Sequence, residues 1–414
     1  MTDIAFLFAH LSSSSLQQFL DYADEIIDQS ENNAFSSFAV LESFGKTVTS
    51  YAITANETWP IMTLPHFEIR ASDYLDISGA QQIAFAPIVS DQNREEWEAY
   101  TVANQDWIQA GIDLEYLLSL SEEKAEEETN ETKHTVAPGT NKEGFASVQR
   151  AQSIQSSIWR HAPLTHRAET DLHKGPHVPL WQSYPAPRNA FVVNFNLLSS
   201  PEFQELINVT MSTRRAVLSN VIDNFVLFGS ARTIDVDPKS VAIQPIFQSF
   251  DDAAQIVGYL IVVMPWYIYF NDVLSNEADP VYCVLRNSCG EAFTYRVAGR
   301  DATFMGEGDW HDPRYDDLEL SSNFLAYQKG YGDVKHHYAL HHSVESVCAF
   351  SLHVYPTQEM EDRYHTEWPI YITMAVIGVF AFTTMVFVLY DHFVQRRQSI
   401  VAATAQKTTA LVTR

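Results

Sequence analysis

Cysteine is scarce in this chain. Three occur in 414 residues, Cys283, Cys289 and Cys348, all in the last third. That is too few for a disulfide framework. It suits buried thiols in a reducing compartment, or one disulfide and one odd thiol in an exported domain. Positive charge is also short: 26 Lys and Arg stand against 52 Asp and Glu, a net charge of -26. An acidic surface argues against nucleic acid as a partner, because phosphate contacts need a basic face. Proline is missing before Pro60, which permits a long opening helix. Motifs of cofactor chemistry are missing too. There is no Walker loop, no G-x-G-x-x-G after a strand, no G-x-S-x-G and no H-E-x-x-H, so no catalytic, cofactor or metal residues are expected.

What the sequence does have is one long apolar run. Residues 368–390, WPIYITMAVIGVFAFTTMVFVLY, contain no charged side chain. As a helix, 23 residues cover roughly 35 Å, more than the ~30 Å hydrocarbon core of a bilayer. Trp368 and Tyr371 stand at one end and Tyr390 at the other, where aromatic belts form. Arg396, Arg397, Lys407 and Arg414 follow, against Asp391 alone. Cations beside a span stay in the cytoplasm, so Arg396 and Arg397 become the inner anchor and the acidic bulk lies outside. Three N-x-[ST] sequons, at Asn56, Asn130 and Asn208, fall on that outer side. The opening MTDIAFLFAHLSSSS has no basic region and only a short apolar run. The expectation is therefore entry without a cleaved signal, or a segment upstream of this sequence.

The outer portion divides on composition. Residues 1–118 predict a long helix to about 58, a buried strand at 80–89 and an amphipathic helix at 94–109, together a first lobe. Residues 119–144, SLSEEKAEEETNETKHTVAPGTNKEG, are charged and apolar-poor, and predict a disordered linker or exposed loop. A second lobe, 145–367, carries strands at 191–198, 241–247, 256–266, 281–285, 292–299 and 347–356, with a helix at 201–222. Helices and strands mix without βαβ alternation, so the fold class is α+β, in PAS-like lobes. Residues 391–414 predict a short connector helix. Val394, Val401 and Thr408, like Gln398, Ala405 and Val412, recur every seven residues. That pattern fits a dimeric coiled coil or a helix on the inner leaflet.

Chemistry-bearing clusters are few. In MGEGDWHDPRYDD, Asp309, His311 and Asp312 suit proton transfer or a divalent ion, and equally a plain polar turn. His336, His337, His341 and His342 suit zinc, pH sensing or a solvated helix. MPWYIYF at 264–270 suits a ligand pocket or a packed core.

Several stretches together are familiar: TWPIMTLPHFEIRA, PLWQSYPAPRNAFVVNFNLL, IVGYLIVVMPWYIYFNDVL, VLRNSCGEAFTYRVAG with MGEGDWHD, FSLHVYPT, and YDHFVQRRQSIVAATAQKTTALV. From about Thr58 onward the chain resembles the extracellular and membrane part of diatom-type receptor guanylate cyclases. Its first lobe is similar to CHASE-type sensor domains. The resemblance implies an extracellular ligand of unidentified chemistry, a homodimer crossing the membrane once, and a class III cyclase after the last stretch. It also implies a Cys289–Cys348 disulfide. The chain itself holds no cyclase residues. A CHASE-type receptor with another output, an adhesion or scaffold glycoprotein, and an ectoenzyme using Asp309, His311 and Asp312 remain the alternatives.

Overall fold

A computed structural model describes residues 13–130, 155–162, 167–187, 192–221, 237–251, 253–323, 348–364 and 368–412. Gln17–Thr357 form one compact unit, and Gln358–Arg414 belong to a second. The fold is mixed α and β, with a long N-terminal helix, antiparallel sheets and one long apolar helix near the C-terminus.

Helix α1, Ser13–Ala55, is 43 residues long. Phe19, Ala23, Ile26, Ser30, Ala34, Phe38, Leu41, Phe44, Val48 and Ala52 are buried along it. Steps of three and four gather them into one stripe, which anchors so long a helix to the rest of the unit. Asn56, at φ 54°, turns the chain out of α1 in the left-handed region. Helix α2, Phe67–Ser78, ends on Gly79 at φ 67°, whose N–H donates to the Leu75 carbonyl at 2.8 Å. A side chain there would meet Ile268 at 3.1 Å as well as the strained φ.

Strand β1, Gln82–Pro87, follows, then helices α3, Arg94–Ala103, and α4, Asp106–Asn130. The single helix expected over 94–109 is thus two, since Asn104 leaves helical geometry with φ -122° and ψ 57°. Helix α4 runs on to Asn130, through the first part of the segment expected as a linker from 119. Alternation of Glu with Leu, Ala and Lys suits helix here as well as disorder. Residues 131–144 of that segment lie outside the described residues.

The first five-stranded sheet has the order β4-β1-β7-β6-β5, antiparallel throughout. Its other strands are β4, Gln182–Tyr184; β5, Val217–Val221; β6, Lys239–Phe247; and β7, Ile256–Pro265. Strands β2, Trp159–His161, and β3, Ala168–Thr170, form a small hairpin apart from it. Every residue of β7 is buried. One face of the sheet meets α1, where Gly45 would place a Cβ 3.8 Å from Leu260. The other face, with Ile243, Tyr259 and Ile261, packs on Phe203, Leu206 and Ile207 of helix α5, Pro201–Thr213.

This sheet redraws the expected lobes. Residues 1–118 and 145–367 do not keep separate sheets, because β1 pairs along its whole length with β7. The physical reason is burial. A run as apolar as QIAFAP needs neighbours on both edges, and the later strands supply them. The helix expected over 201–222 stops at Thr213. Arg214 takes φ 58°, and β5 begins at Val217. The strand expected at 191–198 is replaced by isolated bridges and a 3-10 turn, Leu197–Ser199, because Asn194 sits at φ 65°.

The second sheet has the order β10-β9-β8-β12-β11, with β8, Val281–Asn287; β9, Ala292–Ala298; β10, Asp301–Glu307; β11, Leu320–Ser322; and β12, Phe350–Pro356. The two sheets meet where Trp266 packs on Phe350, 4.5 Å between centroids with the rings tilted by 46°, and its indole N–H donates to Ser240 at 2.9 Å. Cys289, in the β8–β9 turn, is disulfide-bonded to Cys348 just before β12, with 5.7 Å between Cα atoms. Asn220 of β5 reaches across, its Oδ1 accepting from the Cys348 N–H at 3.0 Å. Cys283 is a buried free thiol, pushed well above its ordinary pKa by burial.

After β12 come a short helix α6, Gln358–Tyr364, and helix α7, Trp368–Val412. The expected span and the expected connector lie on one unbroken helix. The stretch Met374–Ala405 within it is long and apolar enough to cross a membrane, and none of its most apolar window is buried. Tyr390, Arg396 and Arg397 lie on its exposed surface, and Trp368 and Tyr371 fall in its first two turns.

Candidate functional site

The polar site lies on the second sheet and follows from strand parity. Successive side chains on a strand point to opposite faces. On β8 and β12, Cys283, Leu285, Leu352 and Val354 point into the core. Register pairs Arg286 with Ser351, and Val284 with His353. Arg286, Ser351, His353 and Tyr355 therefore share the opposite face. The segment 308–319 folds over that face. Thr294 of β9 tethers it by donating to the Gly308 carbonyl at 2.7 Å and accepting from the Trp310 N–H at 3.1 Å.

Charged groups from three elements converge there. Arg286 donates to Asp309 and, at 3.0 Å, to the Tyr355 hydroxyl. That hydroxyl donates to Glu319 at 2.7 Å. The second Glu319 oxygen meets His353 Nδ1 at 2.7 Å, and His353 Nε2 meets the Ser351 hydroxyl at 2.8 Å. The His311 ring lies flat on Tyr355, 3.8 Å between centroids at an angle of 8°. Its Nδ1 meets Asp309 and its Nε2 meets Asp316 at 2.6 Å. Asp316 belongs to the 3-10 turn Pro313–Leu318.

The electrostatics follow from these contacts. Burial opposes ionisation of Asp309, but hydrogen bonds from Arg286 and His311 outweigh it and hold the carboxyl below its usual range. Glu319 is likewise lowered, burial losing to hydrogen bonds from Tyr355 and His353. Burial would lower His311, yet Asp316 and Asp309 raise it overall. Burial and then Glu319 push the Tyr355 phenol far up, so it remains a donor.

Of the three residues singled out in the sequence, Asp309 and His311 meet here. Asp312 does not join them. Its carboxylate accepts from the Arg314 backbone N–H at 3.0 Å and pairs with the Arg314 guanidinium at 2.7 Å, capping the 3-10 turn. Among the described residues no group of three His, Cys, Asp or Glu has the geometry to hold a metal. His336, His337, His341 and His342 lie outside the described residues. Trp266, Tyr269 and Phe270 of the aromatic stretch are buried in the core.

Sequence reasoning missed Arg286, Glu319, His353 and Tyr355, which lie up to 69 residues apart and share no motif, and it did not single out Asp316 within the quoted MGEGDWHDPRYDD stretch. It also missed a second, buried cluster. Asp171 accepts from Asn196 at 2.7 Å and meets His173 at 2.8 Å. His177 is 1 % exposed; its Nδ1 lies 3.8 Å from Asp171 and its Nε2 3.6 Å from Asp91, with no hydrogen bond to Nε2. Burial, then the nearby Arg94 charge, hold His177 below its ordinary pKa.

No known family model matches the chain, and no curated protein matches it. What fold and site define is an α+β protein bearing a disulfide, a hydrogen-bonded polar cluster on its second sheet and, among the described residues, one helix long and apolar enough to cross a membrane.

Proposed function

We propose that this chain is the extracellular sensing and transmembrane-coupling portion of a single-pass plasma-membrane receptor, of the receptor guanylate cyclase type. The observation that carries the reading is helix α7. Its apolar stretch lies toward the N-terminal side, and the cations Arg396, Arg397 and Lys407 follow within the same helix. The Cys289–Cys348 disulfide fits an oxidising exterior. In this reading the α+β unit, with PAS-like and CHASE-like lobes, faces outward as one half of a homodimer. A ligand shifts the balance between two arrangements of that unit, and α7 carries the bias inward. Asn56 and Asn208, both exposed, and Asn130, the last residue of α4, would carry glycans. The cyclase output rests on the sequence resemblance alone.

Protease added to intact cells expressing an epitope-tagged chain tests the topology. Cleavage of 17–357 with protection of 391–414 is the expected result. Protection of the large unit overturns the reading. Transcript sequence beyond codon 414 tests the output: a class III cyclase in frame supports it, and a kinase or phosphodiesterase replaces it.

A further inference from the structure

We propose that His311 is a proton-binding site that latches the 308–319 segment onto β12 and lets go when the medium turns alkaline. The geometry carries this. Both ring nitrogens of His311 face carboxylate oxygens, Asp309 on Nδ1 and Asp316 on Nε2. A neutral imidazole owns a single N–H, so one nitrogen would turn a lone pair on a carboxylate. Only the imidazolium donates to both.

The surroundings reinforce the charge. Arg286 comes from β8, Asp309 and Asp312 from the segment's own turn, Asp316 and Arg314 from the 3-10 turn, Glu319 from just beyond it, and His353 and Tyr355 from β12. Arg314 occupies Asp312, and Glu319 is held by His353 and Tyr355. Arg286 and His311 are left to balance Asp309 and Asp316. Losing the His311 proton leaves two carboxylates against one guanidinium, with Asp316 repelled from the ring it held.

The sign agrees. A histidine raised in the folded state stabilises it fully below its ordinary pKa, about 6.5, and that stabilisation fades as pH climbs through the raised value. Asp309 and Glu319, both lowered, contribute above the ordinary carboxylate range and fail only in acid. The latch is thus closed from mildly acidic to near-neutral pH and opens on the alkaline side. It closes over β12, the strand whose chain continues through α6 into α7. As a stimulus for a receptor, this rests on the reading above; the proton site does not.

The test uses the full chain in lipid nanodiscs, with hydrogen-exchange protection of 308–322 and 350–356 followed from pH 5.5 to 9. Histidine ring NMR assigns the His311 titration. In the wild type, protection falls several-fold on the alkaline side, with His311 titrating above about 6.5. His311→Gln removes the fall, and Asp316→Asn moves its midpoint to lower pH while leaving Asp309 in place. Protection flat with pH, a His311 titration at or below 6.5, or an undiminished fall in His311→Gln each overturns the proposal. The protease experiment on cells decides the receptor reading separately, since proton binding in nanodiscs is measured whichever way the chain is oriented.

Discussion

Breaking the Cys289–Cys348 bond is the perturbation with the best-defined magnitude. The two cysteines are 59 residues apart in sequence. Cross-linking a loop of that length removes roughly 4 kcal/mol of chain entropy from the unfolded state. Cys289 is exposed while Cys348 is 4 % exposed, so the two serine variants are not equivalent. Cys289→Ser should lose about 4 kcal/mol. Cys348→Ser should lose the same plus about 1–3 kcal/mol for a buried hydroxyl. The double variant should match Cys348→Ser, because a bond can be broken only once. Urea unfolding in detergent, followed by tryptophan fluorescence, measures this, since Trp266 packs on Phe350 two residues beyond Cys348. A dithiol added to the wild type should reproduce Cys289→Ser. If Cys289→Ser cost under about 1 kcal/mol, the bond would not be restraining the unfolded chain, and the chain-entropy argument would be refuted.

Three further outcomes follow from named contacts. Trp97 is fully buried and its indole N–H donates to Asn194 Oδ1 at 3.1 Å, so Trp97→Phe should cost about 1–3 kcal/mol for the orphaned acceptor, read by thermal unfolding. His177 is held below its ordinary pKa, so the folded state binds fewer protons than the unfolded chain and stability drops as pH falls through about 6.5. His177→Gln should flatten that acid-side loss in unfolding titrations between pH 7 and 5; an unchanged slope would assign the loss to other groups. Phe380→Arg places a cation near the middle of 368–390 and should cost about 2.5–3.5 kcal/mol of insertion, seen as reduced membrane integration in a microsomal assay.

Periodic features were legible in the sequence and compensating ones were not. The α1 stripe and the apolar run of α7 both announce themselves locally, because each repeats one face or one composition over many residues. Strand β1 was equally plain as an apolar run, yet its partners were hidden, since pairing with β7 joins residues about 180 positions apart by the register Gln82 with Val263. The segment 191–198 reads as a strand by β propensity. Asn194 overrides that with a left-handed backbone, its amide donating to Thr101 and to the Gln155 carbonyl. Asp309 and His311 were visible as a cluster because they sit two apart. Glu319, His353 and Arg286 became neighbours only once the second sheet had formed.

The site's placement on the sheet bears on what it can do. Its side chains stand on the outward parity of β8 and β12, while Cys283, Leu285, Leu352 and Val354 on the inward parity hold the sheet. Altering charge at Arg286, His311 or Glu319 therefore leaves the apolar core intact and changes only how 308–319 rests on β12. Altering Leu352 opens the core itself, at about 2–5 kcal/mol for alanine. A site separable from its scaffold in this way can change state without unfolding its host.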